Sequence, residues 1–174
     1  MAIWTLDTAH SEIEFKVKHM MISSVKGNFE DFKVEVTTES EQLENASVAV
    51  EIDVNSITTK SEQRDQHLKS EDFFNVAQFD QIKFVSTEIK KVSAEEYEVT
   101  GDLTIKDITK PVTFEAEFGG VGKDPWGNQK AGYTVTGKIN RADFGLSWNA
   151  ALETGGVMVS NDVKFQADLQ FVIA

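Results

Sequence analysis

The stretch Asp162-Val-Lys-Phe-Gln-Ala-Asp-Leu-Gln-Phe-Val-Ile-Ala174 decides the fold. Val163, Phe165, Ala167, Leu169, Phe171 and Ile173 take every second position, with Lys164, Gln166, Asp168 and Gln170 between them. Side chains of a strand point alternately to its two faces, so the segment predicts a strand with one dry face and one wet face. The same period recurs upstream. It sets Ile13, Phe15 and Val17 against Glu14, Lys16 and Lys18, and it places Val48, Val50, Ile52 and Val54 on one side of residues 47–55. It returns in Val99, Gly101, Leu103 and Ile105, in Val112, Phe114, Ala116 and Phe118, and in Tyr133, Val135, Gly137 and Ile139. Shorter strands are expected at residues 3–7, 26–37 and 82–90. Strands wet on one face belong to antiparallel sheets rather than to βαβ sheets.

One region breaks the alternation. Ile57 to Phe74 contains good helix formers, with Ser61 placed as an N-cap, and predicts one or two short helices, the second starting at Ser70-Glu-Asp-Phe73. The glycine-rich run from Gly119 to Gly127 and Thr154-Gly155-Gly156 read as connections. No repeat or linker divides the chain, so residues 1–174 form one domain. Eight or nine half-buried strands must cover one another, in a two-sheet sandwich or a closed barrel. The long strands favour an all-β, extended antiparallel β-barrel of about eight strands, lipocalin-like, whose interior is either packed or holds one small ligand.

Composition narrows the function. Lys+Arg 17 against Asp+Glu 29 gives a net charge of −12, which opposes nucleic-acid binding and electrostatic capture by anionic membranes. The absence of cysteine excludes disulfides, thiolate metal sites and cysteine nucleophiles. No apolar run reaches the ~20 residues of a membrane-spanning helix. The opening Met-Ala-Ile-Trp-Thr-Leu-Asp7 has no basic n-region, so the expected location is the cytoplasm.

Several blocks together resemble a known family: Trp4-Thr-Leu-Asp7-Thr-Ala-His10-Ser11, Gly27-Asn-Phe29, Arg64-Asp-Gln-His67-Leu68, Gly101-Asp-Leu103-Thr-Ile105-Lys106, Thr109-Lys-Pro111-Val112 and Asn140-Arg141-Ala-Asp143-Phe144-Gly145. Their order and spread over the chain are similar to the YceI-like family. The chain departs from the usual pattern at Asp80, where many members have proline, and at Asp107, where glycine is usual. The resemblance implies a lipocalin-like barrel, often homodimeric, with an apolar tunnel for polyisoprenoids or related amphiphilic lipids such as quinones. No cofactor is expected beyond such a lipid.

On this reading the tunnel wall would be built from the inward positions Phe15, Val17, His19, Val50, Ile52, Phe84, Leu103, Ile105, Phe114, Phe118, Tyr133, Val135, Ile139, Phe165 and Leu169. Gly101, Gly137, Ala116 and Ala167 would leave volume between the larger side chains, unless rings from neighbouring strands fill it. About 15 buried carbons would supply a gross ~12 kcal/mol, enough for a net affinity near micromolar after ordering costs. Arg64, His67 and Arg141 are the candidates for a head group, with His19 beside them. Arg64 and His67 alternatively pin a helix to the barrel, and Arg141 alternatively pairs with a carboxylate at a strand end.

Other chemistry is weakly encoded. His10, His19 and His67 lack the His-x-x-x-His spacing of a metal site. Asp7, His10 and Ser11 supply the residue types of a catalytic triad, but sequence proximity does not create its geometry. The alternatives to a lipid binder are an enzyme acting on a small apolar substrate with His19 or His67 as general base, and a stress-related scaffold with a closed barrel.

Overall fold

The computed structural model describes residues 2–20, 22–39, 43–149 and 159–173. Its strands are β1 (Ala2–Leu6), β2 (Glu12–His19), β3 (Ser23–Phe29), β4 (Phe32–Thr38), β5 (Ser47–Asp53), β6 (Ile57–Thr58), β7 (Gln81–Lys91), β8 (Glu96–Ile105), β9 (Ile108–Lys123), β10 (Gln129–Asn140) and β11 (Val159–Ile173). The single α-helix, α1, spans Glu62–Lys69. No helix among the described residues is long and apolar enough to cross a membrane.

The wall runs β1–β4–β5–β7–β8–β9–β10–β11 and closes where β11 pairs with β1, an eight-stranded antiparallel barrel. β2 continues β1 alongside β11, and β3 leads into β4 as the next wall strand. The first interruption, between β1 and β2, is a 3-10 turn capped by Asp7, whose carboxylate accepts from Ala9 N. There the Ser11 hydroxyl donates to the Asp7 carbonyl at 2.7 Å and accepts from Gln170 N at 3.0 Å, so the strand edge stays satisfied across the gap.

The expected strand at 26–37 is broken between Phe29 and Phe32. Both phenylalanines are buried although they lie three positions apart, so the inward phase shifts across Glu30-Asp31. β5 pairs with β4 as far as Ile52, opposite Phe32, and beyond that point the short β6 lies beside β3. α1 follows, with Ser61 as its N-cap, but the second helix expected from Ser70 is absent. The Ser70 hydroxyl donates to His67 O at 2.5 Å, and a series of turns runs through Asn75 at φ 51°. That irregular path carries Phe73 and Phe74 together into the packed interior, which the alternation of a strand does not allow for adjacent residues.

The glycine run is strand rather than loop as far as Lys123; the turn itself is Asp124–Asn128. Gly120 pairs with Gly132 and Phe118 with Tyr133, so Gly119 is an inserted bulge residue beside Gly120 at φ 118°. Residues 154–156 lie outside the described residues.

Candidate functional site

The barrel encloses a cavity of about 580 Å³. Tyr133, Phe171 and Val36 form its floor, and Trp4, 1% exposed, stacks behind Tyr133 with ring centroids 5.9 Å apart. Burial pushes the Tyr133 phenol well above the ordinary tyrosine range, so it stays neutral. This aromatic cluster seals one end. The side wall includes Phe15, Val17, Val50, Ile52, Phe84, Leu103, Ile105, Phe114, Val135, Ile139, Phe165 and Leu169. Phe118 is outside the lining: its ring packs on Tyr133 at 5.3 Å, beyond the floor.

The mid-strand glycines do not create this volume. A Cβ on Gly27 would collide with the Phe15 ring, and one on Gly137 would meet Phe114 and Phe165 carbons at 2.5 Å. Gly27 lies directly across the ladder from Phe15, and Gly137 from Phe165. The rings therefore occupy the space that the glycines vacate on the neighbouring strand. The lumen lies beyond the rings, and the glycines serve it indirectly by letting phenylalanines settle against the wall.

Polar groups gather at the opposite end, where Lys18, His19, Ser61, Gln63, Arg64, His67 and Arg141 reach the cavity. Arg64 is committed to the protein: Nε donates to Thr59 Oγ1 at 2.8 Å and Nη2 to Thr59 O at 2.7 Å. Asp65 accepts from the same Thr59 N and Oγ1, so α1 is pinned to the residue two positions before its own cap. Arg141 is 3% exposed and pairs with carbonyls rather than with a carboxylate. It donates to Ser160 O at 2.9 Å, Trp148 O at 2.9 Å, Val159 O at 3.2 Å and Leu146 O. Asp143 pairs instead with Lys110. Burial lowers the Arg141 pKa, and its charge knots the segment after β10 onto β11.

His67 and His19 stay closest to the lumen's mouth. His67 Nε2 contacts Asp72 Oδ2 at 2.9 Å, and its ring stands edge-on to Phe73 at 5.1 Å and to Trp148 at 4.8 Å. His19 has no side-chain hydrogen bond among the described residues. Phe73, Phe74, Leu68 and Gln63 complete the mouth, and the alternation pattern had no means of finding them because they lie in the helical excursion. The triad residue types stand outside the cavity lining. Asp7 Oδ2 does contact His10 Nδ1 at 2.8 Å, but Ser11 donates to the Asp7 backbone, so no nucleophile is activated.

The family comparison gives a match to the YceI-like domain over residues 4–171. The UPF0312 protein SAS2572 of Staphylococcus aureus strain MSSA476 is 49% identical, with 100% of this chain and 99% of that protein aligned. Among solved structures, a Campylobacter jejuni YceI protein superposes with a TM-score of 0.77 at 32% identity, covering 98% of this chain and 96% of that one. Burkholderia cenocepacia BcnA superposes at 0.82 with 24% identity, covering 95% of this chain and 98% of that one. A polyisoprenoid binding domain from Saccharophagus degradans superposes at 0.73 with 14% identity, covering 98% of each chain. The last two are likenesses of fold.

Proposed function

Because the chain belongs to the YceI-like family, we propose that it binds, sequesters or carries an isoprenoid-type or other long-chain amphiphilic lipid, without catalysis, in the lumen of its barrel. The observation that carries this reading is the apolar cavity of about 580 Å³, sealed by aromatics at one end and ringed by polar groups at the other. Left void at ~24 cal/mol per Å³, such a space would cost about 14 kcal/mol, as much as the whole stability of a typical domain. It therefore fills, with water or with an apolar guest. Water against phenyl and alkyl walls is poorly bonded, so an alkyl chain displaces it favourably. The aligned fold of a polyisoprenoid binding domain supports the same ligand class.

The tail would lie toward Tyr133 and Phe171, with the head group near His19 and His67. Arg141 and Arg64 shape the mouth rather than touch the guest. Assembly as a homodimer and a cytoplasmic location extend the proposal, supported by the family resemblance and the cysteine-free composition; light scattering and cell fractionation read them. The main test is organic extraction of the natively purified protein followed by mass spectrometry, with displacement of a fluorescent apolar probe by quinones and prenyl alcohols. Co-purified lipid and competitive displacement are expected. No lipid and no probe binding would sink the reading.

A further inference from the structure

The outer face of the barrel carries a feature that its net charge of −12 conceals. Lys138 pairs with Lys164, Lys164 with Lys16, and Lys16 with Lys26, so four lysines stand side by side across β10, β11, β2 and β3. All four are exposed, and all four border one outer groove of about 690 Å³. Like charges placed directly across a ladder repel, so the row carries a stability cost in the free protein. Lys18 lies two positions along β2 toward the mouth. Three carboxylates border this group: Asp162, 3.8 Å from Lys138, and Glu14 and Glu115, which line the same groove.

Charge sorts along the barrel axis. The next outer row away from the mouth holds Glu14, Gln166, Thr136 and Asn28, flanked by Glu115; the row after it holds Glu12, Asp168 and Thr134, flanked by Glu117. Positive charge is therefore concentrated toward the polar end of the lumen. At that end the β2–β3 turn projects two bare apolar side chains, Met20 at 41% and Ile22 at 83% exposure. His19, at the base of the same turn, and Lys18 and Val25 line the cavity.

We infer that the β2–β3 hairpin, with the lysine row beside it, docks the mouth of the barrel onto an anionic phospholipid bilayer. An apolar tip flanked by lysines matches the two layers of such a surface: Ile22 and Met20 enter the acyl boundary while the ammonium groups meet phosphates. The five lysines, Lys18 included, outnumber the three bordering carboxylates Asp162, Glu14 and Glu115, and more distant carboxylates are screened beyond a Debye length of ~10 Å at 0.1 M salt. An acidic protein partner would match the lysines but would leave the tip uncovered. The inference deepens the carrier reading, since it supplies the surface from which a lipid would be exchanged.

The test is flotation of the full chain with phosphatidylcholine vesicles, with and without 30% phosphatidylglycerol. At 0.1 M salt the protein should float with the anionic vesicles only, and 0.5 M salt should release it. A triple substitution Lys16→Gln, Lys26→Gln, Lys164→Gln should weaken binding on the order of 100-fold. Ile22→Ser should weaken it several-fold. These positions face solvent, so circular dichroism and probe binding should be unchanged. Equal binding to neutral vesicles, no binding, or wild-type binding by the triple variant would overturn the inference. So would an Ile22→Ser protein that floats normally but changes oligomeric state, since a second copy would then cover the tip. Loss of probe binding with flotation intact would overturn the carrier reading instead, which keeps the two separable.

Discussion

The rings of His67 and Trp148 meet edge to face with centroids 4.8 Å apart, one from α1 and the other from the segment that follows the 3-10 turn at Arg141–Phe144. α1 has no buried residue, so it gains little from burial. Its hold on the barrel is the Thr59 network, half-buried Leu68 and this aromatic contact, which spans the mouth.

Trp148→Ala should therefore loosen the doorway more than the barrel. The expected result is a dissociation rate for a bound probe raised about tenfold, with overall stability lowered by ~2 kcal/mol, close to the worth of its two ring contacts with His67 and Phe73. Stopped-flow displacement and chemical denaturation read the two quantities. An unchanged off-rate would show that the contact does not control exchange.

Arg141→Ala should behave as a stability variant. It removes donors from four carbonyls, so a loss of about 3 kcal/mol or more is expected, lowering Tm by ~6–12 °C. Arg141→Lys should rescue little, because an ammonium cannot reproduce the guanidinium fork. Normal stability with lost lipid affinity would instead restore this residue as a head-group contact.

Gly137→Ala places a methyl where the Phe114 and Phe165 rings sit and drives them toward the lumen. Overpacking of this kind costs ~1–3 kcal/mol. Binding of a long-chain lipid should weaken while a short-chain analogue is spared. Isothermal titration with a chain-length series checks this, and equal weakening along the series would count against it.

Acid should weaken the Asp7–Lys130 pair only at low pH. Hydrogen bonds from Lys130 and His10 hold the Asp7 carboxyl down at about 2, from an ordinary 3.8. The contribution is thus complete above pH 4 and disappears as the pH falls from 4 toward 2. Lys130, raised by the same partner, loses its share only above its ordinary 10.5. Asp7→Asn should lower Tm by ~2–4 °C at pH 7, about 1 kcal/mol, and the deficit should vanish near pH 2. Thermal melts across pH 2–7 test the window.

The wall of the barrel was legible in the sequence because alternation is a local signal. Phe165, Ala167 and Leu169 face inward for the reason that their spacing states, and Ser61 caps α1 as its chemistry demands. What escaped was everything set by registry between distant segments. Gly137 meets Phe165 and Gly27 meets Phe15 only after the strands align, so spacing alone left open whether Gly137 widens the lumen or holds a ring. Arg141 finds backbone carbonyls from two segments, which no spacing rule foretells. The lysine row joins residues up to 148 positions apart in the chain, inside a composition that is acidic as a whole.

The plug made by Tyr133, Phe171 and Trp4 turns the barrel into a cul-de-sac. Whatever occupies it must back out the way it came, so donor and acceptor compete for one threshold and cannot be served at the same time. For a carrier of the kind proposed, loading and delivery would be a single reversible step, whose direction follows from which side offers the guest the lower chemical potential.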